Sequence, residues 1–470
     1  LYWPDGYASS LPLEPGNYLA WKEAAGWRVD SEAYSSRRRS RSLAWHTRFG
    51  TSRVMGGVWP AGIMDFVDDV YFTGLDARAP SEMISRSGGI KNVIDASGSL
   101  VTVPADALAF DHSSGQRRAL FEGKSTNAIR NNIGAGGTVG TPGAAPTNWS
   151  LFSNGGWGLS REVVGTGTEN GIPYVDVRIY GTATSGFSWQ WLVAFETLTS
   201  IAATIGETWT ASAFVKVVSG SGLDPRLIIS ERNSAGDYLG LSTGVSCNTG
   251  VLTRFVETYT LTNASTAYIC PGVTISVANG ATVDCVIRVG LPQAEKGPIA
   301  TSVILTSGSA VTRSTDFSSW SALAVSTVSV TGCTIAVRGR VRNRTGYGEV
   351  LTTVSGGLTS ALVGVDTVAL GQVYAQAPGS SGAMNLASAA VPLDLAVCIG
   401  WDSAGQIASI SGSAPTTRSG GAVGPLTEIV IGSTTLGVRD GHVVELAEVV
   451  WWPGIGVSAD VQSQARAFQP

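Results

Sequence analysis

The chain has 470 residues, 14% of them charged, and a net charge of −4, which makes a single hydrophobic core improbable above ~250–300 residues and leaves no global field to draw it to nucleic acid or an acidic membrane. Its 59 glycines, abundant Ser, Thr and Val and lack of Lys- or Glu-rich periodic stretches exclude a helical protein and indicate an all-β one. No apolar run reaches the ~18–20 residues of a membrane span, so membrane insertion is not expected. Cys247, Cys270, Cys285, Cys333 and Cys398 stand singly on apolar segments, without a C-x-x-C pair or a neighbouring histidine. Buried free thiols are therefore expected rather than a disulfide or zinc framework.

Residues 1–60 are irregular, rich in Trp, Tyr, Pro and Arg, and lack a sustained period of 2 or 3.6. Such a segment suits an anchor or connector that docks onto something else. The opening "LYWPDGYASS" shows neither the basic start nor the apolar core of a signal peptide, and it begins at Leu1 rather than Met, so the true start can lie upstream. Within this segment "SSRRRSRS" sets Arg37, Arg38, Arg39 and Arg41 amid serines. These are candidates for a partner or anchoring contact, against the plainer reading of a solvated face.

Residues 61–146 begin with "DFVDDVYFTG", continue as short apolar pieces broken by turn residues, and end in the Gly/Pro linker "NNIGAGGTVGTPGAAPTNW". Asp65, Asp68 and Asp69 superficially suggest calcium, but the alternating acid–Gly loop of a calcium motif is missing and a solvated turn fits better. From 147 to 305, "GIPYVDVRIYG", "FSWQWLVAF", "TWTASAFVKVV", "PRLIISERN", "RFVETYTLT", "AYICPGVTISV" and "TVDCVIRVGLPQAEKG" follow one another at sandwich spacing. In "GFSWQWLVAF" alternation places Phe187, Trp189, Trp191, Val193 and Phe195 on one continuously apolar face, which reads as core. Trp189, nearest the "GTATSG" turn, is the candidate for a half-exposed indole at a ligand-binding rim. Residues 306–470 form a second strand set, closed by a helix in "SADVQSQARAF" with Ser458 as N-cap.

Several of these stretches resemble phage virion proteins of the tail-fibre, tail-spike and head-fibre type. "MDFVDDVYFTG" looks like the start of their shared amino-terminal motif, and "LAFDHSSGQRRALFEGKSTNAIRNN" is similar to a second signature. "PTNWS" with "EVVGTGTENGIPYVDVRIYGT" resembles the opening of their jelly-roll module, and "QAEKGPIATSVILTSGSAVTRSTDF" its closing and exit segment. "TIAVRGRV" and "GHVVELAEVVWWPGIGVSADVQSQARAF" are similar to concanavalin-A-like, laminin-G-type sandwiches. The resemblance covers roughly 61–470. It implies an irregular anchor followed by two tandem β-sandwiches, jelly roll then concanavalin-A-like, on the surface of a virion. It also implies binding to host polysaccharide or lipopolysaccharide, contact with other virion proteins through the amino-terminal segment, and a homo-oligomer, with a trimer the family's expectation. A structural head-spike or tail connector without a ligand is the alternative, and a polysaccharide depolymerase a third reading. The signature residues Phe110, Asp111, Glu122, Thr126 and Asn127 are expected to tie off loop amides.

No catalytic residue is assigned. His46, His112 and His442 fall in three different units and are expected at surface or loop positions, which argues against a triad or a His-based metal site. Thirty-five acids always contain some pair fit for glycoside hydrolysis, so their presence decides nothing. No cofactor or metal is called for; structural calcium held by backbone carbonyls would leave no mark in a sequence. Recognition is expected elsewhere. In "CTIAVRGRVRNR" alternation sends Cys333, Ile335, Val337 and Val341 inward and Arg338, Arg340 and Arg342 outward at ~6–7 Å intervals, matched to successive acidic groups of a polysaccharide or to a solvated or subunit-contact face. In "EVVWWPG" adjacent positions oppose, so one of Trp451 and Trp452 packs inward. Trp452 is the candidate sugar or subunit contact, or is covered by the final helix.

Overall fold

The computed structural model describes residues 19–23, 26–30 and most of 55–467. Strands make up about 58% of it and helices about 5%, so the composition folds as the all-β protein it indicates. Leu19–Glu23 and Gly26–Asp30 form an antiparallel hairpin. Arg37, Arg38, Arg39 and Arg41 lie outside the described residues.

Two sheets face each other across residues 150–296. One orders Leu159–Glu169, Ile172–Thr182, Thr282–Lys296, Thr208–Ser219 and Thr253–Thr260; the other orders Ser150–Leu151, Phe187–Ala194, Tyr268–Val277, Arg226–Arg232 and Tyr238–Leu241. The period-2 pattern explains the packing, since Val175, Val177, Ile179, Ala211, Ala213 and Val215 from one sheet meet Leu227, Ile229, Ile269, Val273 and Ile275 from the other.

A second pair of sheets takes strands from both ends of the described chain. Gly62–Asp65 and Arg118–Glu122 both pair with Val443–Pro453, which also pairs with Gly332–Val341. In the facing sheet Ile84–Ser87 pairs with Phe317–Trp320. Residues 62–122 thus share their hydrogen bonding and their core with residues 317–453. The close approach has a sequence cause at Gly62, where a Cβ would stand 1.9 Å from Trp451 Cζ2. That indole is fixed by Trp320, centroid to centroid 4.8 Å, and donates from Nε1 to Thr327 Oγ1 at 3.0 Å. Outside the larger sheet lies the helix Ser458–Ala467, with Val461 and Ala465 against Val450, Trp452, Ala336 and Cys398. Ser458 begins this helix rather than standing ahead of it. Two shorter helices, Pro80–Met83 and Ala322–Ser326, went unread in the sequence because each is barely one turn. The five cysteines are buried thiols. Among the described residues no helix is long and apolar enough to cross a membrane.

The signature polar residues do tie segments together. Asn127 Oδ1 accepts from the amides of Ile129 and Ala294, both at 3.1 Å, and Asp111 Oδ1 accepts from Ile94 at 2.9 Å. Glu122 accepts from the amide and hydroxyl of Ser302, both at 2.7 Å, and pairs with Lys91 and Arg313, both at 3.2 Å. Lys91 also pairs with Asp316 at 2.5 Å, which Arg86 meets at 2.7 Å. Burial alone would raise the Glu122 carboxyl, but Arg313, Lys91 and Ser302 hold it well below the usual carboxylate range. This fully buried network joins the segment leaving the first sandwich to the second.

Candidate functional site

The "GFSWQWLVAF" strand departs from strict alternation, and the departure creates the most ligand-like surface of the first sandwich. Its pairing with Tyr268–Val277 breaks between Phe187 and Gln190 and again between Trp191 and Val193. At the first break Trp189 takes a left-handed backbone, φ 60°, and its amide donates to Ser276 Oγ at 3.2 Å. A bulge re-aims the side chains that follow it. Leu192, Val193 and Phe195 therefore enter the core together, with Phe187 packed at its edge, while Trp189 and Trp191 leave it and remain half-buried. The expectation of one apolar face holding Phe187, Trp189, Trp191, Val193 and Phe195 is corrected accordingly.

The floor beneath the indoles is small. A Cβ on Gly272 would meet Trp191 Cζ3 at 2.6 Å, and one on Gly244 would stand 3.4 Å from Trp189 Cζ3. The neighbouring strand Arg226–Arg232 turns Leu227 and Ile229 inward and Arg226 and Arg232 outward. The Arg226 guanidinium carbon lies 5.4 Å from the Trp189 ring centre; that of Arg232 lies 5.8 Å from Trp191 and 5.4 Å from Tyr238, which is 56% exposed. These are cation–π distances. The surface thus offers three aromatic faces and two guanidinium groups over a floor of Gly, Ser and Thr, an arrangement suited to stacking on and hydrogen bonding to sugar rings. Sequence reading missed Trp191, Arg226, Arg232 and Tyr238. The even spacing of the two arginines in "RLIISER" is the signal that places them together on the outer face.

The other candidates fare differently. Arg338, Arg340 and Arg342 do face outward, opposite Cys333, Ile335, Val337 and Val341. Acids from adjacent strands meet them: Glu448 at 3.5 Å from Arg338, Asp394 at 3.8 Å from Arg340, and Glu445 against Arg342. Arg118 joins the same ladder, 3.5 Å from Asp394 and 3.7 Å from Glu445. Burial pushes the Glu445 carboxyl up against the pull of Arg342 and Arg118. Arg340 and Arg342 also line, with Arg254, Asp111 and Ser113, a cavity of about 460 Å³ between the sandwiches. Trp452 is 1% exposed and packs beneath the final helix with Val450 and Val461. As a sugar-contacting residue it is corrected, because the helix covers the side it faces. His442 is likewise buried, against Gly348, where a loop or surface position was expected.

Asp65 is not part of a solvated acidic turn. It is buried, and its Oδ1 accepts from the amides of Val67 at 3.0 Å and Asp68 at 2.9 Å. Burial and then the charge of Glu448 raise its pKa to about 7. Asp69 pairs with Arg117 at 2.9 Å. Among the described residues no three His, Cys, Asp or Glu side chains gather as a metal site.

No protein-family model and no curated protein matches the chain. Among solved structures it is similar to the CBM22-1 xylan-binding domain from Paenibacillus barcinonensis, at 14% identity over 38% of this chain and 99% of that one, with a TM-score of 0.24. It is also similar to the tripod from the baseplate of bacteriophage Tuc2009, at 12% identity over 72% and 98% with a TM-score of 0.24. A third is Trypanosoma rangeli sialidase in complex with sialic acid, at 11% identity over 96% and 77% with a TM-score of 0.26. These loose likenesses thus include a carbohydrate-binding module and a phage baseplate protein.

Proposed function

We propose that the chain is a phage or phage-like virion fibre or spike protein that binds host surface glycans through the aromatic face of its first sandwich, residues 147–305. One observation carries this reading: two bulges remove Trp189 and Trp191 from the core and set them on an open sheet face beside Arg226, Arg232 and Tyr238. Leaving two indoles half-exposed forfeits part of the roughly 1.5–3 kcal/mol that full burial gives a large apolar side chain, a cost with a use if a sugar ring covers them. The amino-terminal segment 1–60 then serves as the attachment to other virion proteins, and the second sandwich, built from 62–122 together with 317–453 and carrying Arg338, Arg340 and Arg342, as its support or a second contact. The chain acts as a homo-oligomer, a trimer in the family's pattern, at the particle surface.

Glycan-array binding by the purified protein tests this, with Trp189→Ala and Trp191→Ala as variants. Each is expected to weaken binding at least tenfold while circular dichroism stays that of the parent. Binding to no saccharide, or binding untouched by both variants, overturns the reading. The paired state of Arg338, Arg340 and Arg342 favours, for the second sandwich, a spacer or connector role without a ligand. Changing all three to Ala should then lower stability and leave binding intact.

A further inference from the structure

Arg232 stands apart from the other arginines of the first sandwich. It is only 8% exposed, yet none of its side-chain N–H groups donates to an acceptor among the described residues. Its Nε is fully buried without a hydrogen bond, while the terminal nitrogens keep contact with solvent. The neighbouring carboxylates are committed elsewhere. Glu231, next in sequence, points to the opposite side of the sheet, where it accepts from Tyr259 Oη at 2.7 Å and from the amides of Thr262 and Asn263, both at 3.1 Å. Asp237, in the exposed turn beyond, takes the side-chain amide of Asn233 at 3.0 Å and attracts Arg232 only through space, without a hydrogen bond or ion pair. The nearby Ser230 Oγ, on the same face as Arg232, is also buried without a hydrogen-bond partner.

A guanidinium keeps its charge under any ordinary condition, and a buried charge without a counter-ion is costly, so natural proteins pair it. Here the missing partner is an anion, and the space around the group indicates its shape. Trp191 and Tyr238 flank the guanidinium, leaving its planar edge as the donor surface. Arg226 repeats the arrangement over Trp189 but already has Asp224 at 3.6 Å.

We propose that Arg232 is the anion-recognising group of this face, taking the carboxylate of an acidic sugar whose ring lies against Trp191. The proposal rests on the glycan-binding reading above and narrows its ligand to carboxylate-bearing saccharides. A planar fork of two N–H donors matches the two oxygens of a carboxylate, and its single charge balances one carboxylate. A phosphate dianion would call for a second free cation, and Arg226 is partly neutralised.

The test uses the full chain and an array of hexuronate and sialate oligosaccharides. Each is printed beside its carboxyl-reduced form, together with neutral xylan oligosaccharides and a polyol-phosphate polymer. The parent protein is expected to prefer at least one acidic form over its reduced counterpart by about ten- to a hundredfold, the range set by a charge-assisted hydrogen-bonded pair. Arg232→Gln should abolish that preference, Arg232→Lys should retain part of it, and Trp191→Ala should lose acidic and reduced forms alike. Thermal unfolding supplies an independent readout. Because no acid is hydrogen-bonded or ion-paired to this charge in the free protein and only Asp237 attracts it through space, Arg232→Gln should leave the melting temperature unchanged or raise it, whereas a merely structural arginine would lower it. Equal binding of acidic and reduced forms, a preference that survives Arg232→Gln, or binding to the polyol phosphate alone overturns this assignment and leaves the glycan-binding reading standing. Binding to no saccharide at all overturns both.

Discussion

Glu122→Gln isolates the charge that holds the two sandwiches together. The side chain is 1% exposed, and its partners Lys91 and Arg313 are 0% and 4% exposed. Removing its charge leaves Lys91 with Asp316, which Arg86 also meets, and leaves Arg313 without the carboxylate it pairs with, and breaking such a buried pair costs about 3–5 kcal/mol. Glutamine keeps an oxygen for the Ser302 amide, which places the expected loss near about 3 kcal/mol; Glu122→Ala also orphans that amide and should cost about 1–3 kcal/mol more. For a unit of 150–250 residues, ~3 kcal/mol corresponds to a fall of about 6–12 °C in Tm. Differential scanning calorimetry measures this, with Glu122→Gln/Lys91→Met as the companion. Removing anion and cation together should recover part of the loss, because less uncompensated charge remains. The pH dependence has a definite sign. The Glu122 carboxyl is depressed in the fold, so its contribution is complete above its ordinary value of 4.5 and declines as pH falls through the folded-state value. A drop of less than about 2 °C for Glu122→Gln, or a double variant worse than the sum of its parts, refutes the reasoning.

Asp65→Asn tests the opposite sign. The folded-state pKa of Asp65 is raised from 3.8 to about 7 by burial and by Glu448, so its stabilisation is complete below about pH 4 and disappears as pH rises through 7, by up to about 4 kcal/mol at ~1.4 kcal/mol per pH unit. Asparagine keeps the acceptor for Val67 and Asp68, so in denaturant titrations the variant should exceed the parent in stability at pH 8 and lose that advantage at pH 4; no gain at pH 8 counts against the buried carboxyl pair. Gly62→Ala should cost about 1–3 kcal/mol by thermal melting, because Trp451 is held on its far side by Trp320 and Thr327 and has little room to retreat. An unchanged melt would show that the indole can shift.

Much of the fold was legible because alternation is a local property. Val175, Val177 and Ile179 face inward as their spacing requires, and so do Cys333, Ile335, Val337 and Val341. Pairing partners were not legible. Nothing within "GIMD" announces that it will lie beside Glu448, Val449, Val450 and Trp451, close to the other end of the chain. The aromatic face was hidden for a related reason. Whether Trp189 and Trp191 join the core depends on two bulges, and those depend on what the partner strand presents, namely Ser276 beneath the Trp189 amide and the bare Gly272 beneath the Trp191 ring. For Trp451 and Trp452 the adjacency rule was correct in sending them to opposite sides. It did not anticipate that a helix would cover the outer one, since coverage is a tertiary event.

The arginines give the sharpest contrast between pattern and environment. Arg338, Arg340 and Arg342 satisfy the spacing expected of a polyanion-binding row, and that same spacing suits a ladder of carboxylates on the strands to either side. Once Glu448, Asp394 and Glu445 are in place, each cation already has the anion it would otherwise seek, and a ligand must compete with a partner that is covalently present. Arg232 has no acid within ion-pair distance, because the alternation of its strand sends Glu231 to the other face and Asp237 reaches it only through space. Two arginine sets of similar sequence appearance therefore differ in the free energy left for a ligand. What separates them is which acids the adjoining strands deliver to the same side of the sheet.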